Sequence, residues 1–300
     1  IGLATGELIK LDEKMSEYLA TLAGKIEEKT IDMARSTLHK FCSEFTYGED
    51  VTPKAVQQWI GRQAQAGKAV PTIQRSLGDL RGYWRYLQSI EAMPDTANPF
   101  DKLTLPKRDR RSDKENERRP FTAADVSNIL AETLKRKDVP LADLISLAMW
   151  TGARREELCA LKVAKVNLSA GYIEIADAKT AAGWRQVPVH SKLAPTLKRL
   201  LKASNDGYVL SDLGSSKYGD RGNAVGTRFG RLKRELGYGE QYVFHSIRKT
   251  VATLLEDAGV PENVAADILG HEKPRITYGL YSGGTSLKTK REAIEKLSYR

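Results

Sequence analysis

The chain has 300 residues, 41% of them hydrophobic, and a formal net charge of +10 at pH 7, with a pI near 9.4. That length fits about two domains of ordinary size, and the apolar share excludes a disordered tail. No long apolar run occurs, and no stretch is basic on one helical face and apolar on the other, so the polyanionic partner implied by the charge is nucleic acid and not a membrane.

Residues 7–93 carry helical periodicity and almost no strand signal. Leu8, Leu11, Met15, Tyr18, Leu19 and Leu22 form one amphipathic stripe closed by Gly24, and Ile31, Ala34, Leu38, Phe41 and Phe45 form a second. Thr52-Pro53 opens a third helix with Val56, Trp59 and Ile60. Pro71-Thr72 opens a fourth with Ile73, Leu77, Leu80, Trp84 and Leu87. Residues 1–100 are therefore expected to be a compact helical domain. Lys54, Arg62, Lys68, Arg75, Arg81 and Arg85 either line a DNA-facing surface of it or form an ordinary solvated face.

Residues 101–119 hold eight Lys/Arg against five Asp/Glu, a net of +3. With Pro94, Pro99 and Pro106 around them, they are expected to be a basic interdomain linker, either a plain flexible tether or one that also tracks a phosphate backbone.

From Pro120 the texture changes. Phe121-Thr122 with Asp125 starts a helix continued by Val126, Ile129, Leu130 and Leu134. Leu141, Leu144, Ile145, Ala148 and Met149 predict a buried helix, which Thr151-Gly152-Ala153-Arg154 interrupts before the helical REELCALKV. Residues 172–175 and 184–189 alternate as strands do, and Lys179 lies in their connection. Helices are then expected at 193–202, 222–236, 243–258, 261–269 and 286–297. Residues 120–300 thus form a second domain, mostly helical with a small antiparallel sheet. Cys42 and Cys159 fall in apolar helical patterns without metal spacing, which fits buried thiols in a reducing cytoplasm. The chain opens on Ile1 with no methionine and no signal-peptide pattern, so part of its native N-terminus is expected to be missing.

The chemistry concentrates between Val243 and Gly284. His245 and Arg248 project from one face of one helix, the next helix ends at Leu269-Gly270 and delivers His271, and Tyr278 and Tyr281 follow. A guanidinium matches two phosphate oxygens, an imidazole hydrogen-bonds phosphate and moves a proton near neutral pH, and a phenol forms a phosphoester. Taken singly, His-x-x-Arg is most simply a solvated pair and Leu-Gly-His a helix cap.

Taken together, Arg154, Lys179, His245, Arg248, His271 and Tyr281 stand in TGARREEL (151–158), the hairpin, HSIR (245–248), LGH (269–271) and the residues before Ser-Gly-Gly. This ordered set resembles the tyrosine recombinases, the phage integrases, over residues 120–285. Residues 1–100 resemble the core-binding domain of that family only in being a short helical bundle. The resemblance implies a mainly α protein with a small antiparallel sheet, in which a helical core-binding domain precedes an α+β catalytic domain with a C-terminal tail helix. It implies that Tyr281 attacks a DNA phosphodiester to give a 3′-phosphotyrosyl bond and a 5′-hydroxyl, needing neither metal nor ATP. Arg154 and Arg248 would neutralise the transition state, His245 and His271 would hold the phosphate, and Lys179 would protonate the leaving oxygen. Tyr278 is the alternative nucleophile, and Glu157 is expected to buttress the fold. Arg185 is the alternative to Lys179 but lies within a strand; Arg155 neighbours Arg154 but misses the Thr-Gly-x-Arg spacing.

The implied partners are duplex DNA with specific recombination sites, three further copies of the chain in a homotetramer on two duplexes, and accessory DNA-bending proteins. Rival readings are a type IB topoisomerase and a DNA-binding protein without catalysis. Leu287, Ile294 and Leu297 fall near one side of the last helix, which either packs on its own domain or docks on a neighbouring protomer.

Overall fold

The computed structural model describes residues 8–95, 98–107, 117–176, 184–271 and 283–299. The chain divides into two compact units, Ile1–Asp113 and Lys114–Arg300.

The first unit is built on α1 (Met15–Leu22), α2 (Glu28–Cys42), α3 (Pro53–Gln65) and α4 (Val70–Ser89). The first helix is shorter than its apolar stripe: Leu8 is exposed, and Lys10 instead pairs with Tyr47 in an isolated antiparallel bridge. Thr52 starts α3 by accepting the Ala55 amide at 3.2 Å, with Pro53 filling a position whose amide has no helical partner. Leu38, Val56, Ile60, Ile73 and Leu87 form the centre of its core.

The described start of the expected linker belongs to this unit. Phe100 is buried against Phe41 and Trp84, with ring centroids 5.5 and 5.9 Å away. Gln57 donates to the Thr104 carbonyl at 2.8 Å and accepts the Thr104 amide at 3.0 Å. Leu103 and Leu105 add apolar contacts, so the residues after Pro99 are held by burial that a count of charges does not reveal. Three of the six cations singled out above are paired: Arg62 with Glu44, Arg75 with Asp79 and Arg81 with Asp101.

The second unit contains α5 (Ala123–Lys135), α6 (Val139–Thr151), α7 (Arg155–Cys159), β1 (Val166–Asn167), β2 (Tyr172–Ile175), β3 (Arg185–Pro188), α8 (Ala194–Ala203), α9 (Asn223–Glu235), α10 (His245–Asp257), α11 (Glu262–Leu269) and α12 (Leu287–Ile294). Thr122 and Asp125 close a reciprocal cap on α5, at 3.0 and 2.9 Å. Helix α6 is apolar on nearly all sides because α5, α7, α9 and α10 surround it. The strands form one antiparallel sheet in the order β1-β2-β3, with Ile173 opposite Val166 on one side and Val187 on the other. No helix among the described residues is long and apolar enough to cross a membrane.

The last helix packs on its own unit. Ala293, Ile294 and Leu297 are buried in the same core as α6 and α10, and α12 lies against α11 and β3. Lys290 donates to the Gln186 carbonyl at 2.7 Å, Ser191 donates twice to Glu295, and Tyr299 reaches the Met149 carbonyl at 2.6 Å. Of the two placements the sequence allows, this chain adopts the internal one, because its apolar side meets a complementary surface of the same unit. Leu297→Ala should therefore cost about 2–5 kcal/mol of stability, the usual range for truncating a buried leucine. Urea unfolding checks this, and an unchanged midpoint would show that the segment following α12 carries no packing energy.

Candidate active site

The site begins where α6 ends. Gly152 caps α6 in the left-handed region at φ 64°. A Cβ there would lie 2.5 Å from Leu269 of α11 and 3.0 Å from Val251 of α10, so three helices converge on this residue. Two residues later Arg154 starts α7, and Glu157 in the first turn accepts its backbone amide at 2.7 Å.

Glu157 is the hub of the local electrostatics. Its Oε1 accepts from Arg154 Nη1 at 2.7 Å and from Arg185 Nη1 at 3.3 Å. Its Oε2 accepts from the Arg154 amide and from Arg185 Nη2 at 2.9 Å. Burial alone would push its carboxyl up, but the Arg185 and Arg154 guanidiniums outweigh that and hold it below the usual carboxylate range. The side chain of Arg154 stays 41% exposed beside a Glu157 that is only 6% exposed, so its free edge faces outward.

Arg248 enters from the first turn of α10. Its Nη1 donates to the Gly152 carbonyl at 2.8 Å. Its Nη2 is buried and has no hydrogen-bond partner among the described residues. Burial, and then the nearby Arg154 and Arg185 charges, push its pKa down to about 9, which still leaves it cationic at neutral pH. His245 is the first residue of α10, three positions before Arg248. Helix α11 ends in a left-handed Gly270 at φ 71°, whose carbonyl accepts from Arg154 Nη2 at 3.2 Å. The next residue, His271, is pushed down to about 4 by partial burial and by the Arg248, Arg154 and Arg185 charges. His245 is lowered by partial burial, Arg248 and Arg154. Both imidazoles are thus neutral near pH 7, within a cluster of three guanidiniums and one carboxylate.

The phage integrase family model matches residues 119–285. The chain belongs to the phage integrase family. Among curated tyrosine recombinases it is 24% identical to the XerA recombinase of Pyrococcus furiosus over 286 residues, covering 95% of this chain and 92% of that one. An XerC-like recombinase of Caldanaerobacter subterraneus is 27% identical, over 81% of this chain and 70% of its own. Among solved structures, a lambda integrase tetramer bound to a Holliday junction superposes with a TM-score of 0.71 at 20% identity, covering 88% of this chain and 78% of that one. A Tn1549 transposon integrase in complex with a circular intermediate DNA gives 0.67 at 19% identity, over 97% and 100%. The mainly helical fold with a small three-stranded sheet is the fold of these integrases.

Within this phage integrase domain, Arg154, His245, Arg248 and His271 are brought to one place by α7, α10 and α11. Lys179, Tyr278 and Tyr281 lie outside the described residues. Arg185, weighed from the sequence only as the alternative to Lys179, instead belongs to the Glu157 hub, a place that the sequence reading missed.

The depressed histidines set a pH dependence. An unfolded His271 titrates near its ordinary value of 6.5, and the folded one near 4. Between these values the unfolded chain binds the extra proton, so stability falls as pH drops through that window. The loss should be shallower in His271→Gln, which has no proton to take up there. Urea unfolding at a series of pH values checks this; parallel curves for the two proteins would refute it.

Proposed function

We propose that this chain is a site-specific DNA recombinase that cuts and rejoins duplex DNA through a 3′-phosphotyrosyl intermediate. The observation that carries the reading is the buried amino group of Arg248, which has no acceptor among the described residues and sits amid two further guanidiniums. Leaving a buried charged donor without a partner costs stability. A phosphate would supply the oxygens that Arg248 and the exposed edge of Arg154 lack.

In this reading the Tyr281 phenol oxygen attacks the scissile phosphorus, and the bond from phosphorus to the 5′-oxygen breaks. His245, neutral at the working pH, accepts the phenolic proton. Lys179 gives a proton to the departing 5′-oxygen, and His271 hydrogen-bonds the phosphate. Arg154 and Arg248 offset the charge that builds on the non-bridging oxygens. The phosphotyrosyl ester keeps the bond energy, so a 5′-hydroxyl can reverse the step without ATP, and no metal ion is required. The partners are duplex DNA bearing recombination sites, a homotetramer spanning two duplexes, and accessory DNA-bending proteins.

Covalent trapping tests the reading. The protein is incubated with a library of nicked random duplexes, whose short strand diffuses away after cleavage, and then denatured. A denaturant-resistant adduct whose DNA shares a common junction sequence is expected. DNA that binds natively but is never retained after denaturation would leave only a binding protein.

A further inference from the structure

We infer that Arg185 is a positioning residue that holds the Arg154 guanidinium and the His271 segment in place without touching the DNA. This inference rests on the recombinase reading above and deepens it. The Arg185 side chain is buried like that of Arg248, but each of its three nitrogens already donates to a protein oxygen, whereas Arg248 keeps a buried amino group without an acceptor among the described residues. Its Nε donates to the Ile268 carbonyl at 2.7 Å, and its two amino groups donate to the two oxygens of Glu157. A strand residue is thereby tied at once to α7 and to the end of α11.

Two effects follow. The first concerns Arg154. A carboxylate that faces a single guanidinium closes on it as a bidentate fork and withdraws its donors from any ligand. Arg185 occupies one lone pair on each Glu157 oxygen, so only Nη1 of the Arg154 side chain contacts Glu157 and Nη2 turns to Gly270. Arg154, Arg185 and Arg248 contribute three positive charges and Glu157 one negative, so the cluster keeps a net +2. The second effect concerns His271. The Ile268 carbonyl is among the last of α11, where no helical donor remains to meet it. By capping it, Arg185 fixes the turn through which Gly270 presents His271. A Cβ on Gly270 would lie 2.7 Å from an Arg185 amino group, so the left-handed glycine also makes room for the fork.

A purely structural role, in which Arg185 only joins β3 to α11, predicts a loss of stability and nothing else. Arg185→Gln and Arg185→Lys separate the two on the junction DNA recovered by trapping. Three quantities are read on the full chain: the single-turnover cleavage rate at saturating protein, the Kd for DNA, and the titration of His271 by NMR without DNA. Arg185→Gln should slow cleavage by about 10-fold or more, because misplacing a reacting group by an ångström is that costly. Its Kd should stay within about threefold, since many cations contribute to backbone binding. The His271 titration should move up, because one of the charges that lowers it is gone.

Arg185→Lys keeps the charge and loses the fork. It should leave the titration in place and recover only part of the rate. Wild-type cleavage at saturation in a folded Gln or Lys variant overturns the proposal; if the Gln variant does not fold, the Lys variant alone decides. A rate loss matched by the loss of affinity, with His271 unmoved in the Gln variant, also overturns it. A wild-type protein that makes no adduct at all overturns the recombinase reading instead, while the His271 titration still tests the placement by Arg185.

Discussion

Tyr281→Phe binds DNA as tightly as the parent and forms no denaturant-resistant adduct, while Tyr278→Phe retains it: this is the largest effect expected of any single substitution. The change removes one oxygen, the atom that in the proposed mechanism forms the bond to phosphorus. Affinity is spread over many cations and survives. The choice between the phenols rests on sequence, since Tyr281 directly precedes Ser-Gly-Gly. The described chain stops at His271 and resumes at residue 283, and Thr285 donates from its amide and hydroxyl to Asp267 of α11, at 2.7 and 2.6 Å. His271 and the Thr285 bonds thus both adjoin the same helix, α11. A Tyr281→Phe protein that still migrates with DNA on a denaturing gel would transfer the attack to another group, Tyr278 first.

Arg248→Met should separate activity from stability. A donor aimed at transition-state charge is worth about 3 kcal/mol or more, so cleavage at saturating protein should fall by about 100-fold or more. The same substitution removes a buried cation that lies beside two others and leaves one amino group unpartnered. Methionine fills similar space without the desolvation cost, against the loss of a single bond to the Gly152 carbonyl. The thermal midpoint of the variant should equal or exceed that of the parent. A midpoint several degrees lower, with cleavage unchanged, would make Arg248 a structural residue.

Much of this architecture is legible in local chemistry. Thr122 with Asp125, Thr52 with Pro53, and Gly152 after an apolar run mark helix ends because caps are satisfied within a few residues. The two-residue strand β1 escapes the same reading, since its pairing with Ile173 and Tyr172 is made across a turn and leaves no alternation to see. Helix α7 stops at Cys159, well short of the helical run expected there, because Val163–Lys165 turns the chain into the sheet. Leu8 extends the apolar stripe of α1 by period alone and is not part of the helix. Arg185 shows the harder limit: its partners stand 28 and 83 residues away, so only tertiary packing brings them together. The four described residues of the ordered motif set are found together, whereas the role of the strand between them had no local signature.

The convergence of helices on Gly152 bears on what the Thr-Gly-x-Arg pattern encodes. Leu269 and Val251 crowd the bare face of this glycine, and its carbonyl carries the bond that orients Arg248. The glycine is thus fixed by close packing and the arginine by charge, although the two are neighbours in one short string. A search of other genomes that requires both letters filters on two unrelated properties at once. Relaxing the glycine while retaining the arginine would admit chains whose helices meet differently around the same chemistry, and relaxing the arginine would admit scaffolds that keep the geometry and have lost the reaction.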